Sequence, residues 1–510
     1  MMKNKILCAF FLLSLLFMAS CSDKEAVFTP IISGIENSIN MLEGSKLELS
    51  PAVENAGDAR FSWTVDGKEV STAMKYTFEP SAFGTYALVF TATNSAGSAR
   101  FSISITVLPK ANSYEVSAYT VLTFEPSAVF ENNAVVEWTV TKSASPLHRL
   151  ATDEKGNALF VAAKEGLYGV SGNDGKSTVE ISIVVTKNES ATPYIAKVFD
   201  YLPAPGQFVN KLPKYSEGDT HEDMLRKVAD YLVGEDASMI TLGGWGGYVT
   251  FGFDHTIVNV EGQRDFRVLG NAFASASNPQ PGAPLGGSCE PGIVMVAYDK
   301  NKNGKPDEDE WYEINGSGNF SAENEPWYQI AVDNNNDVRT FRDYEMTYFR
   351  PITETPDENP DGFTSISKYI RWTDNKGQEG YKIKNIYHKQ SYYPAWVAAD
   401  AITYSGIRLA DNGIDESGTG AYYVLYAFRY GYTDNFPNND ENSAIDIDWA
   451  IDQDGNKVVL PGIDFVKIYN GINKENGWLG ETSTEVGGST DLSTGEGSTE
   501  VGKAQDLHIY

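Results

Sequence analysis

Hydrophobic and polar residues alternate along much of this chain, and two stretches do so in nearly the same order. The first, about residues 30–109, carries FSWTVDGKEV and then YTFEPSAFGTYALVFTATNSAGSARFSISITVL. The second, about 112–187, carries VVEWTVTKSA and then ALFVAAKEGLYGVSGNDGKSTVEISIVVTK. In each, a tryptophan (Trp63, Trp138) sits on an alternating run, and a Gly-x-Tyr (Gly84/Tyr86, Gly166/Tyr168) opens the penultimate strand. The last strand of the first stretch places Phe101, Ile103, Ile105 and Val107 on one face. A period of two, with turn residues every eight to twelve positions, predicts a small β-sandwich for each stretch.

From about residue 194 to 510 the pattern changes. One segment, THEDMLRKVADYLVG, has the period of a helix: Thr220 stands at the N-cap, Asp223 lies in the first turn, and Gly234 closes it. Met224, Leu225, Val228, Ala229 and Leu232 form its apolar face. The rest alternates as strands: YVTFGFDHTIVNV, DFRVLGNAF, GIVMVAYD, YYVLYAFRYGY and IDFVKIYNGI. Strands with a single early helix predict one large β-sandwich of jelly-roll type. The fold class expected is mainly β, two small sandwiches followed by a large one. STEVG occurs at Ser483–Gly487 and again at Ser498–Gly502, a local duplication that lengthens the tail.

The N-terminus reads as a targeting segment rather than as part of the fold. Lys3 and Lys5 precede the apolar run ILCAFFLLSLLFM, too short to span a membrane comfortably, which ends in Met18-Ala19-Ser20-Cys21. This predicts a signal peptide over 1–20 and lipidation at Cys21, followed by a tether over 21–29. With Cys8 removed and Cys21 acylated, Cys289 is left alone, so stability is expected from core size, with bound metal as an optional addition, rather than from a disulfide. A net charge of −29 over 510 residues makes nucleic acid a poor partner, because phosphate binding needs clustered Lys and Arg.

One stretch carries a definite chemistry. In DKNKNGKPDEDE, Asp299, Asn301, Asn303, Gly304 and Glu310 fit the twelve-residue calcium loop at every required position. Calcium takes six to eight oxygens, and side chains at loop positions 1, 3 and 5 converge on one centre. Lys305 offers its carbonyl, Asp307 occupies position nine, and Glu310 closes the shell. The preceding GIVMVAY reads as a strand, so such a site braces a loop rather than moving a helix; the alternative is a solvated Asn/Gly turn. Asp333–Asp337 and Asp452–Asn456 have the residue types without the spacing and read as hairpin turns. No H-E-x-x-H and no G-x-S-x-G occurs, and Gly175-Lys176-Ser177 lacks the first glycine of a phosphate loop. Paired carboxylates for glycoside hydrolysis stay open. Aromatics in Gly- and Pro-rich loops, Trp245, Tyr392, Tyr393 and Trp396, are expected to form an exposed ligand platform, while Tyr422 through Tyr432 are expected inside.

The two N-terminal segments resemble PKD-like and immunoglobulin-like modules, in the role of spacers. The runs GGWGGYVTFGFDHTIVN, DFRVLGNAF, EPGIVMVAYDKNKNGKPDEDEWYEI and GIDFVKIYNGINKENGWLGETSTEV resemble a group of Bacteroidetes cell-surface lipoproteins. That group is similar to the surface-exposed cobalamin-binding lipoproteins of gut Bacteroidetes (the BtuH type). The polar Ser22-Asp23-Lys24-Glu25 resembles their export signal. The resemblance implies a lipid-anchored, non-enzymatic outer-membrane protein that takes cobalamin or a related corrinoid, with an outer-membrane transporter as partner. Asp219-Thr220-His221 lacks the glycine of D-x-H-x-x-G, so the cofactor's own base would stay on cobalt. A calcium-dependent adhesin or glycan-binding protein is the alternative, and a surface glycoside hydrolase the third reading.

Overall fold

The computed structural model describes residues 27–493, apart from 43, 81–83, 109–111, 131–134, 276–282 and 359–361. The expected signal peptide, Cys21, most of the tether and the second STEVG lie outside the described residues. The chain divides into two compact units, 1–111 and 112–510, and the protein is mainly β.

In the first unit a five-stranded sheet runs in the order Ser38–Leu42, Gly97–Leu108, Gly84–Asn94, Arg60–Val65, Lys68–Ser71. Pairing is antiparallel except that the edge strand Ser38–Leu42 runs parallel to Gly97–Leu108. Alternation decides the core: Ile103, Ile105 and Val107 face inward with Leu88, Phe90 and a fully buried Trp63. The Trp63 indole N–H donates to the Ala73 carbonyl at 3.1 Å, so the ring is buried without an orphaned donor.

The second unit begins with the other sandwich. Its four-stranded sheet has the order Ser113–Ser117, Thr178–Thr186, Gly166–Asn173, Glu137–Lys142, and its three-stranded sheet Leu122–Phe124, Ala158–Ala162, His148–Thr152. Again the first strand lies parallel to the last. This sandwich is not a free spacer. Val258, Val260 and Tyr298 of the following domain enter its core, and Arg149 pairs with Asp448 at 2.6 Å where both side chains are nearly covered. Shared apolar burial and a covered ion pair explain why it belongs to the same compact unit as the head.

Among the described residues the head is built from antiparallel sheets, none of which closes into a barrel. Its largest sheet runs Lys197–Ala204, Gly244–Val258, Gly462–Asn470, Gly292–Ala297, Trp311–Ile314, Ala450–Ile451, with Tyr432–Thr433 also on Gly292–Ala297. Separate four-stranded sheets hold Phe341–Phe349 with Thr364–Asp374, and Gly286–Ser288 with Tyr423–Tyr426. The expected helix forms as His221–Leu232. The Thr220 hydroxyl accepts from the Asp223 N–H, and the Asp223 carboxylate accepts from the Thr220 N–H. Met224, Val228 and Leu232 are buried, as the spacing required. Two further short helices, Pro126–Val129 and Tyr328–Asp333, are too brief to leave a periodic signal.

Because Arg149 and Asp448 are covered together, Arg149→Ala leaves a carboxylate buried with Asn259 as its remaining hydrogen-bonding neighbour. It is expected to cost ~3 kcal/mol, the scale for breaking a buried pair from one side, measured as a lowered midpoint in denaturant unfolding of the whole chain. No change in midpoint would mean that the sandwich and head are not energetically joined there.

Candidate functional site

The calcium-type loop sits between two neighbouring antiparallel strands, Gly292–Ala297 and Trp311–Ile314, as the tip of a hairpin. Its geometry follows from the sequence. Asp299 accepts from the Asn303 N–H at 3.0 Å and from the Gly304 N–H at 2.7 Å. Gly304 takes φ +71°, a conformation suited to glycine. The side-chain amides of Asn301 and Asn303 both reach one oxygen of Asp307, each at 2.7 Å. Positions three, five and nine therefore converge on one point, while the two amide oxygens accept from the Asn303 and Lys305 N–H groups at 3.0 and 2.8 Å; an ion there would have to draw them off those bonds. Glu310 is 1 % exposed and bonds back to the Lys300 N–H at 2.8 Å and the Asp307 N–H at 3.3 Å. The donor set thus fits a hard cation, with Glu310 needing to turn from backbone N–H groups to close the shell. Asp464, on the neighbouring strand, holds the loop's base through the Asp299 N–H at 2.7 Å.

The expected aromatic platform is a correction. Trp245, Tyr392 and Tyr393 are buried, not displayed. Trp245 donates its indole N–H to the Ile407 carbonyl at 3.0 Å and packs edge-on against Tyr344. Tyr392 and Tyr393 belong to the same core, with Met346, Tyr348 and Tyr404. Glycine around Trp245 has a packing reason: a Cβ on Gly246 would lie 2.5 Å from Tyr404. Trp396 is half-buried and stacks on Tyr201, its indole N–H without a partner. Trp245 lies on the strand Gly244–Val258 rather than in a loop, and the Pro-containing segment that carries Tyr392 and Tyr393 folds inward to complete the same core.

Exposed rings lie elsewhere. Phe273 (49 %), Tyr422 (39 %) and Trp478 (43 %) are open to solvent. Phe273 is on the edge strand of the sheet Phe273–Ala274, Gly286–Ser288, Tyr423–Tyr426, Gly413–Asp415. The Tyr422 hydroxyl lies 3.0 Å from that of Ser275, and the Trp478 indole donates to the Ala421 carbonyl at 3.2 Å. Gly477 lies against Tyr423, where a Cβ would meet the ring at 2.7 Å. The expectation that Tyr422 is interior fails because the strand begins only at Tyr423. A cleft of about 640 Å³ opens separately, between Trp138, His148 and Arg149 of the second sandwich and Glu261 and Gln263 of the head.

The weaker acidic runs divide. Asp452 accepts from the Asp454 and Asn456 N–H groups in a turn, as expected. Asp333–Asp337 instead ends the helix Tyr328–Asp333, and Asn336 ties it to the Asp411 and Gly413 carbonyls. What sequence reasoning missed is a buried acidic cluster: carboxylate oxygens of Glu290, Asp434 and Glu485 come within 4.8 Å of one another. These residues are 51 and 144 positions apart or more, so no local pattern announces them. Glu485 accepts from the Ser483 hydroxyl at 2.8 Å and the Thr241 hydroxyl at 3.1 Å; Asp434 accepts from the Asn271, Ala272 and Glu485 N–H groups. Burial first, and mutual repulsion second, push Glu290 and Glu485 upward; burial raises Asp434. Burial also pushes the neighbouring Cys289 thiol up, which leaves it inert. Elsewhere His255 sits between Asp491 at 2.8 Å and Asp254 at 2.6 Å. Burial would lower this imidazole, but the two carboxylates outweigh it and hold it above its ordinary value.

Both clusters act with the same sign. A carboxyl raised by folding contributes fully below the unfolded value of about 4, and His255 contributes fully below about 6.5; each contribution is lost as pH rises through the folded value. The melting temperature is expected to fall between pH 6 and 9, and Glu485→Gln, which removes one buried acid, to flatten that fall. A melting temperature that rises over this interval, or a parallel profile for the variant, contradicts the assignment.

A PKD-like domain model matches residues 32–94, within the first sandwich. No curated protein matches the chain significantly. Among solved structures, the titin Ig tandem domains A164–A165 share 15 % identity, covering 31 % of this chain and 97 % of that one, with a TM-score of 0.15. Sidekick-1 immunoglobulin domains 1–5 share 16 %, covering 35 % and 43 %, at 0.16. The N-terminal Ig1–2 module of the Drosophila receptor protein tyrosine phosphatase DLAR shares 14 %, covering 32 % and 100 %, at 0.15. At these TM-scores the neighbours carry no argument about function.

Proposed function

We propose that this is a non-enzymatic binding protein of the cell surface, of adhesion type, held to the outer membrane by lipid on Cys21. Its head takes ligand at the rim of Phe273, Tyr422 and Trp478. The observation that carries this reading is the solvent exposure of three rings on one small sheet and the loops over it, each loop fixed by a hydrogen bond. Exposed aromatic groups positioned by a rigid scaffold suit a ligand with a flat, partly apolar face. A sugar ring fits a shallow rim of this kind, which favours the glycan-binding reading. Cobalamin is the competing ligand, from the family resemblance, although the platform first expected to hold it is buried. A transporter partner follows only from the cobalamin reading.

Calcium belongs to the same proposal as a brace. Asp299, Asn301, Asn303, Asp307 and Glu310, with the Lys305 carbonyl, would hold the ion, which supplies positive charge to a loop rich in carboxylates. Paired Asp299→Ala and Glu310→Ala substitutions are expected to abolish a calcium-dependent rise in melting temperature. An identical melting temperature in calcium and in chelator for the unaltered protein removes the metal from the proposal.

For the rim, a glycan array and a cyanocobalamin titration on the purified protein separate the two ligands. Tyr422→Ala with Trp478→Ala is expected to weaken the bound class at least tenfold while leaving the melting temperature within a degree or two. Binding that survives both substitutions would place the site elsewhere, with the cleft at Trp138 and Gln263 next to be examined.

A further inference from the structure

The two sandwiches part company at one place. Both carry the run Trp-Thr-Val, at 63–65 and 138–140, on the strand that pairs with the Gly-x-Tyr strand. In the first, Asp66 and Gly67 come next and take φ +47° and +80°. Positive φ at both positions makes the tight hairpin turn whose twist matches that of its strands. The chain returns as Lys68–Ser71, which pairs antiparallel with Arg60–Val65 and covers that edge, Ser71 standing opposite Trp63. In the second, Thr141 and Lys142 hold the two turn positions, and a β-branched residue is badly suited to positive φ. Pro146 follows, and the chain crosses to the other sheet at His148–Thr152. Glu137–Lys142 is thus left as an edge, with no strand on its outer side among the described residues. Trp138 is half-buried where Trp63 is fully buried.

The cleft of about 640 Å³ lies at this edge. Its lining includes consecutive residues, Trp138 with Thr139 and His148 with Arg149. Successive side chains on a strand point to opposite faces. A cleft touching both faces of a strand therefore looks onto its edge, where the backbone is. His148–Thr152 is the edge of the three-stranded sheet in its turn. Two uncovered edges thus frame the opening, and Glu261 and Gln263 of the head form its remaining wall.

We propose that this cleft is a binding site for an extended peptide, which adds to Glu137–Lys142 as a fifth strand in the place that Lys68–Ser71 takes in the first sandwich. In this mode the unpaired N–H and C=O groups of the edge supply the affinity, and side-chain contacts supply the selectivity. The first sandwich indicates what that selectivity is. The residue opposite Trp138 is small, as Ser71 is opposite Trp63. The register shift between Val140 and Lys142 ends the regular edge, which leaves Glu137–Val140 to pair. A sugar ring has no alternating row of donors and acceptors to match such an edge, so this site and the aromatic rim take different ligands. The inference stands whether or not the rim binds.

The test uses the full chain and a synthetic, end-capped peptide of residues 66–74, DGKEVSTAM, which includes the strand that fills this place in the first sandwich. Hydrogen–deuterium exchange at 137–142 is expected to slow at least tenfold with saturating peptide, while exchange at 60–65 is unchanged because that edge is already covered. Methylating alternate backbone nitrogens of the peptide is expected to weaken binding at least tenfold in one of the two alternating patterns and little in the other. Side-chain contacts alone would not produce that parity. A second measurement selects a displayed library of alternating polar and apolar heptapeptides on the same chain and reads the selected sequences by the same exchange. The proposal is overturned if neither the peptide nor any selected sequence slows exchange at 137–142, or if both methylation patterns bind alike. Protection at 137–142 that grows with protein concentration in the absence of peptide also overturns it, since the edge would then pair with a second copy of the chain.

Discussion

The head closes on charge that has nowhere to go but inward. The segment 480–492 carries Glu481, Glu485 and Asp491 into the interior, and each requires a different compensation. Glu481 lies in the field of a buried Lys382, which is itself paired with Glu475 at 2.8 Å. Asp491 takes His255. Glu485 meets two more acids, and the hydroxyls of Ser483 and Thr241. A buried polar group left unpaired costs more than a well-made bond returns, so these partners tie the segment to strand Gly244–Val258 through His255 and to strand Glu379–Asn385 through Lys382. A mixed interior of this kind specifies a single arrangement of sheets more narrowly than alternating valines could alone.

Much of the architecture was legible because it rests on local periodicity. The period of two placed Trp63, Ile103 and Ile105 inside, and Thr220 with Asp223 fixed where the helix begins. The calcium-type loop was legible for the same reason: six of its groups lie within twelve residues, and the Asp299 bonds follow from that spacing. The aromatic platform was not. Whether a loop ring faces water depends on what packs over it, and Ile407, Tyr344 and Tyr404 come from distant strands to cover Trp245. The exposure of Phe273 and Trp478 was hidden for the converse reason: these residues lie 205 positions apart and come to one sheet and its flanking turn only through the topology. The acid cluster is likewise a product of three separate segments.

The second sandwich shows how a familiar architecture is put to different uses within one chain. Both sandwiches share strand order and the parallel closing pair. In the first, the core residues described all come from the sandwich itself. In the second, Val258, Val260 and Tyr298 complete it, and the calcium-type loop adds a bond from the Lys302 ammonium to the Val121 carbonyl at 3.2 Å. Apolar area that one domain leaves uncovered is covered by its neighbour, and the gain in burial joins the second sandwich to the head in one compact unit where a spacer had been expected.

The parallel closing pair has a mechanical meaning. In the first sandwich Ser38 stands opposite Ser104 and Leu42 opposite Leu108, so the start of one strand and the end of the other lie at opposite ends of one ladder. Traction between those ends slides the two strands past each other, loading the cross-strand bonds together instead of peeling them one at a time. That pairing is therefore the part of the sheet that pulling along the strands would load in shear.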